Sequence, residues 1–240
     1  MDGVIMWVMN CSPMHVYSEL RLIDFDGMYF QVNVYRIAAL VALADHSRKR
    51  LFPNFSAILN SARNTFGITI GVLQTSFYFV QIGAGVSLPG IVAAKCGAEM
   101  ILSDNAEFPQ CLDNCQRSCQ MNNLSGVYVT GLTWGHVSPT LLALPPVDIV
   151  LASDVFFEPE DFEDVISTVH YLMRKNPHAQ FWTTYQVRSA DWSIEGLLCK
   201  WEMESICVPL QSFEANKEQL AGSSLPGRHT IEMMIISSNE

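Results

Sequence analysis

Basic residues are scarce in this sequence: 14 Lys and Arg stand against 24 Asp and Glu, a formal net charge of −10. Sequence-independent nucleic-acid binding draws its affinity from clustered cations that displace counterions from phosphates, so no direct nucleic-acid partner is expected. An acidic surface instead steers cations, a basic protein among them. Long apolar runs are lacking too. No stretch reaches the ~18 residues needed to cross a bilayer. Residues 37–44 are too few, and Gln74, Thr75 and Ser76 break the run from Ile68 to Val80. No membrane partner is expected. Asp2 stands near the start with no early basic residue, so no secretory signal is expected either. Charged residues make up only 16% against 49% hydrophobic. That balance excludes global disorder and supports a sizeable core.

Paired Cys-x-x-Cys spacing is also absent. The cysteines number seven, and an odd, unpaired set predicts reduced thiols in an intracellular protein. Cys111, Cys115 and Cys119 recur every four residues along one helix face. No fourth ligand has suitable spacing, so they read as small apolar packing residues and no metal is expected.

The first 76 residues lack the regular alternation that follows, and read as an atypical amino-terminal segment. A helix is predicted over 32–44, a solvated basic turn at 48–50 and an interruption at Pro53. Residues 77–240 read as a second unit. Strands are predicted over 77–82, 99–103, 127–132, 147–152, 180–185, 206–210 and 229–236. Helices are predicted over 88–95, 109–122, 159–175 and 191–201. The third of these opens on Glu160, Asp161, Glu163 and Asp164 and closes on Arg174 and Lys175, complementing the helix dipole. Strands alternating with helices imply an α/β fold: a doubly wound, mostly parallel seven-stranded sheet. The last two strands, with no helix between them, suggest an antiparallel edge.

The strongest motif lies where the first strand turns into a helix, at Gln81-Ile82-Gly83-Ala84-Gly85. Glycines there permit a tight turn and close approach of a ligand to the backbone. Asp104 follows 21 residues after Gly83 at the end of the second strand, where a nucleotide-type fold places an acid on ribose hydroxyls. The other reading of Asp104 is a cap on the following turn. A dinucleotide site needs a third close approach for pyrophosphate, at the position held here by Leu88. S-adenosylmethionine carries no phosphate and tolerates Leu88, so the motif favours a methyltransferase over a nicotinamide enzyme. Trp134, after the third strand, could flank an adenine or pack the core. Asp154 after the fourth strand is the best candidate to orient a cationic acceptor, with Glu158 second; a helix start is the alternative for Glu158. Phe156 and Phe157 could shape a dry pocket, and Tyr185 could wall the acceptor channel.

Taken together, IGAGVSLPGI (82–91), ILSD (101–104), GLTWG (131–135), LASDVFFEPEDFED (151–164), YQVRSADWS (185–193) and LPGRHT (225–230) resemble family 16 of the seven-strand protein methyltransferases. The resemblance covers about residues 81–240. It implies the class I, Rossmann-like methyltransferase fold and S-adenosylmethionine as cofactor. It also implies contacts from Gly83, Ala84, Gly85, Asp104, Trp134 and Ser153. The family modifies lysine or arginine; the acceptor implied here is arginine in a histone tail, with a role in chromatin, in nucleus and cytoplasm. Two departures from the family pattern stand out. Gln81 replaces an acid, and residues 1–80 hold no match to the family's Val-Trp-Pro helix. They leave a second reading: an interaction protein that keeps the fold without catalysis.

Overall fold

The computed structural model describes residues 78–95, 98–187, 189, 191–209 and 230–239. The helix expected over 32–44, the basic turn at 48–50 and the boundary at 76 lie outside the described residues. Seven strands form one sheet: β1 (Tyr78–Gln81), β2 (Glu99–Asp104), β3 (Tyr128–Gly131), β4 (Ile149–Ser153), β5 (Gln180–Val187), β6 (Met203–Cys207) and β7 (Thr230–Ser238). Their spatial order is β3-β2-β1-β4-β5-β7-β6. The first five pair in parallel, and β7 runs antiparallel to both β5 and β6. The antiparallel edge was legible. The insertion of β7 between β5 and β6 was not.

The parallel strands are nearly continuous apolar runs because both sheet faces are covered. Alternation still divides them. Val150, Ala152 and Phe181 enter one core layer with Ile166, Val169 and Leu172 of α4 (Phe162–Met173). Ile149, Leu151 and Trp182 enter the other. That layer also holds Ile91 of α1 (Leu88–Lys95) and Cys115 and Cys119 of α2 (Pro109–Met121). Side chains of successive strand residues point to opposite faces, so the sequence sorts itself between two helical layers. A single turn of 3-10 helix at Pro159–Asp161 precedes α4, where the sequence predicted one continuous helix. One element escaped the sequence reading: α3 (Pro139–Ala143). The Ser138 hydroxyl caps it by accepting from the Leu141 amide. Lys175 closes its other end, donating to the carbonyls of Leu142 at 2.9 Å and Leu144 at 2.7 Å. The last helix among the described residues, α5 (Glu195–Lys200), is shorter than predicted.

The strand order reverses direction between β1 and β4. Connections from β1 proceed towards β2 and β3, whereas β4 proceeds towards β5. At such a switch point the loops diverge and leave a crevice beyond the carboxyl ends of the strands. Gly83 and Asp154 each stand two or fewer residues past those ends, facing the crevice from its two sides.

A Cβ added at Gly90 would lie 2.3 Å from Leu102 Cδ2 and 2.7 Å from Gln81 Oε1, both fully or nearly fully buried. Overpacking of about 1–3 kcal/mol exceeds the roughly 0.5–1 kcal/mol that alanine gains in a helix. Gly90→Ala should therefore lower the urea midpoint; an unchanged or raised midpoint contradicts this packing. Cys115 is fully buried, and its thiol donates to the Gly85 carbonyl at 3.6 Å. Burial, opposed by the nearby Ser87 side chain and aided by the Asp104 charge, pushes that thiol up to about 11 from its ordinary 9.0. The unfolded chain thus releases this proton first, and stability falls as pH rises from about 9 to about 11. Cys115→Ala should show a shallower decline of urea midpoint over that window, and parallel declines would contradict it.

Candidate functional site

The turn after β1 is built from backbone conformations that side chains disfavour. Gly83, Gly85 and Ser87 have φ of +55°, +53° and +63°. Glycine adopts this region at no steric cost, whereas Ser87 holds it as a fully buried residue at the start of α1. The turn is pinned from three sides. The Ala84 amide donates to the Ser103 carbonyl at 2.9 Å. The Gly85 amide donates to Asp104 Oδ2 at 2.7 Å. Gln81 Oε1, 1% exposed, accepts from the Gly90 amide at 2.8 Å, and its Nε2 faces the Ala84 carbonyl at 3.5 Å. The side chain that departs from the family pattern therefore bridges the turn to the first turn of α1. An acid could accept from Gly90 equally well; the amide adds a donor towards Ala84.

Of the two roles that the sequence left open for Asp104, the structure shows the cap, and it adds a bond to the glycine turn. Its Oδ1 accepts from the Asn105 amide at 2.8 Å, which caps the following turn, while Oδ2 holds the glycine turn. Each carboxylate oxygen keeps a second lone pair, the capacity that ribose hydroxyls require. A Cβ added at Gly85 would meet nothing within 4 Å. The turn therefore presents open backbone beside a carboxylate, a cradle suited to a ribose-bearing ligand.

Trp134 closes one side of this cradle. A Cβ at Gly83 would lie 2.9 Å from Trp134 Cζ2 and 3.1 Å from Val155 Cγ1. Only glycine lets the indole and the β4 loop approach so closely. The indole also packs against the α4-side core, so it is core on one side and crevice wall on the other.

Across the switch point, Ser153 ends β4 with its hydroxyl 3.2 Å from Thr184 Oγ1. Asp154 follows in the left-handed region at φ +58°, 8% exposed, its amide donating to the Thr184 carbonyl at 2.8 Å. A non-glycine residue there costs roughly 1–3 kcal/mol and persists where its surroundings over-determine it, often at functional sites. Phe157 is 42% exposed. Glu158 is exposed and precedes the 3-10 turn without a side-chain cap bond.

Two expected pocket residues lie elsewhere. Phe156 is fully buried. Its ring meets Phe162, Phe181 and Tyr185 edge-on, with centroids 5.3, 6.4 and 6.1 Å away. Tyr185 is 4% exposed and its hydroxyl donates to the Trp192 carbonyl at 2.8 Å. Both belong to an aromatic core behind the crevice rather than to its lining, because β4 and β5 pack α4 against that face. Thr184 escaped the sequence reading. Nothing in a run of strand residues marks one threonine as the clasp of the next strand's loop.

Comparison with known proteins agrees with this architecture. The profile of a family described as lysine methyltransferase matches residues 71–193. Histone-arginine methyltransferase METTL23 of Mus musculus is 68% identical over 158 residues, covering 66% of this chain and 62% of that protein. The chain thus spans less than two thirds of the length of the mouse relative. Its namesake in Homo sapiens is 67% identical over 158 residues, covering 66% of this chain and 83% of that protein. Among solved structures, the glycopeptide N-methyltransferase MtfA complexed with S-adenosyl-L-methionine superposes with a TM-score of 0.50 at 10% identity, over 69% of this chain and 88% of that one. The sheet order and that likeness show the class I methyltransferase fold. With the profile matching about half of its residues and the human relative so largely covered, the chain belongs to family 16 of the methyltransferases, the lysine methyltransferase family.

Proposed function

We propose that this chain transfers a methyl group from S-adenosylmethionine to a protein side chain, arginine in a histone tail, and that it acts in nucleus and cytoplasm. The names of the mouse and human relatives support the acceptor and the histone target. The observation that carries the reading is a pairing at the switch point. The open glycine turn lies on one side, and the buried, left-handed Asp154 on the other.

Gly83, Ala84 and Gly85 would hold the cofactor against the backbone, with Asp104 on its ribose, Trp134 beside its adenine and Ser153 across the crevice. Bound there, S-adenosylmethionine supplies an electrophilic methyl group on a sulfonium. The chain's task is then placement and proton management, since displacement of this kind depends on holding the acceptor nitrogen in line. A guanidinium has a free pKa of about 12.5–13.8, so its lone pair is poorly available. Asp154 is suited to orient it through two parallel hydrogen bonds and to localise its electron density. Exposed Phe157 shields the acceptor from water, and Glu158 adds a second negative charge at the entrance. The net charge of −10 favours approach of a basic tail.

The test is transfer from isotopically labelled S-adenosylmethionine to core histones, read by mass spectrometry. Labelled arginine is expected. Asp154→Asn should lower turnover by about 10²-fold or more while cofactor affinity changes by less than about threefold. Label on lysine would correct the acceptor. No transfer by a folded chain that binds the cofactor would favour the non-catalytic interaction protein.

A further inference from the structure

The loop after β3 is fastened to one residue of α4. The Gly135 amide donates to Thr168 Oγ1 at 2.9 Å, and that hydroxyl donates onward to the Asp164 carbonyl at 2.8 Å. Thr168 is 3% exposed, so water has little access to replace it. Gly135 has φ +73°, and a Cβ there would lie 2.3 Å from Asp164 Oδ1. The backbone therefore lies flush on the helix. One residue earlier, the Trp134 ring reaches the glycine turn at Gly83. The same helix carries Phe162, whose ring packs on Phe156 of the acceptor loop at 5.3 Å.

We propose that Thr168 is a positioning residue for cofactor binding. It fixes the Trp134–Gly135 backbone to α4, and so sets where the indole stands against the glycine turn. The proposal rests on reading that turn as the S-adenosylmethionine site. A threonine or serine hydroxyl can accept from Gly135 and donate to Asp164 at once; valine, of similar volume, can do neither. Because α4 also holds the acceptor loop, one helix sets the two sides of the crevice in register.

Two measurements test this on the full chain. In ligand-free protein, hydrogen exchange at the Gly135 amide should rise about tenfold in Thr168→Val, as expected when an amide on an exposed loop loses its bond to a buried hydroxyl. It should stay near the wild-type rate in Thr168→Ser. In calorimetric titration with S-adenosylmethionine, the Kd should rise about tenfold in Thr168→Val and recover in Thr168→Ser. Gly135→Ala, which pushes the loop off α4 by a different route, should weaken binding in the same direction. In a Trp134→Ala background, Thr168→Val should cost no further affinity. Unchanged exchange at Gly135 overturns the latch. Raised exchange with unchanged Kd, or an equal loss of affinity without Trp134, overturns its action through the indole. Absence of binding by the wild-type chain overturns the cofactor reading and the affinity role with it, while exchange at Gly135 still decides whether the latch exists.

Discussion

The bond from the Gly85 amide to the Asp104 carboxylate, 2.7 Å long, is the interaction on which the rest of the site depends. It joins the ends of β1 and β2 across the top of the sheet. It is the charge-assisted member of the set of bonds that pins a turn with three left-handed residues in five. Charge-assisted bonds of this kind are stronger than neutral ones. The bond also aims the carboxylate into the crevice that the open side of Gly85 faces. Gln81 and Ser103 complete the clamp from below, with Ser103 Oγ donating to the Gln81 carbonyl at 2.9 Å. Cys115 closes it from α2 as a neutral thiol.

The second side of the crevice is built differently. Asp154 is held by its neighbour strand rather than by a glycine. The Thr184 carbonyl takes its amide, and the Thr184 hydroxyl meets Ser153. Behind it stands the Phe156–Phe162–Phe181–Tyr185 aromatic core, which resists displacement because each ring meets Phe156 edge-on. The two sides are thus held by different means, the glycine turn by hydrogen bonds to its backbone and the Asp154 side by a neighbouring strand and aromatic packing.

Much of this was legible in the sequence, for physical reasons. Buried parallel strands are apolar runs, so β1, β2 and β4 announce themselves, and each ends at a residue with chemistry: Gln81 before the glycines, Asp104, and Ser153 before Asp154. The helix face of Cys115 and Cys119 followed from four-residue spacing. What escaped were features set by tertiary contact. A run such as Val155-Phe156-Phe157 gives no sign of which ring turns inward; α4 and β5 decide it, burying Phe156 and leaving Phe157 exposed. The short α3 depends on Lys175, 31 to 33 residues away, to close its carbonyl end. Thr184 and Thr168 look like ordinary strand and helix threonines until the loops they hold are seen beside them.

Under the proposed function, the pinned glycine turn and Asp104 cradle S-adenosylmethionine, with Gln81 bridging the turn to α1. Calorimetric titration of the purified 240-residue chain with S-adenosylmethionine, beside a parallel titration with NAD, tests it most directly. Micromolar binding of S-adenosylmethionine is expected and none of NAD, whose pyrophosphate finds Leu88 where a glycine is required. No binding of S-adenosylmethionine by protein whose circular dichroism shows it folded, or preferential binding of NAD, would contradict it.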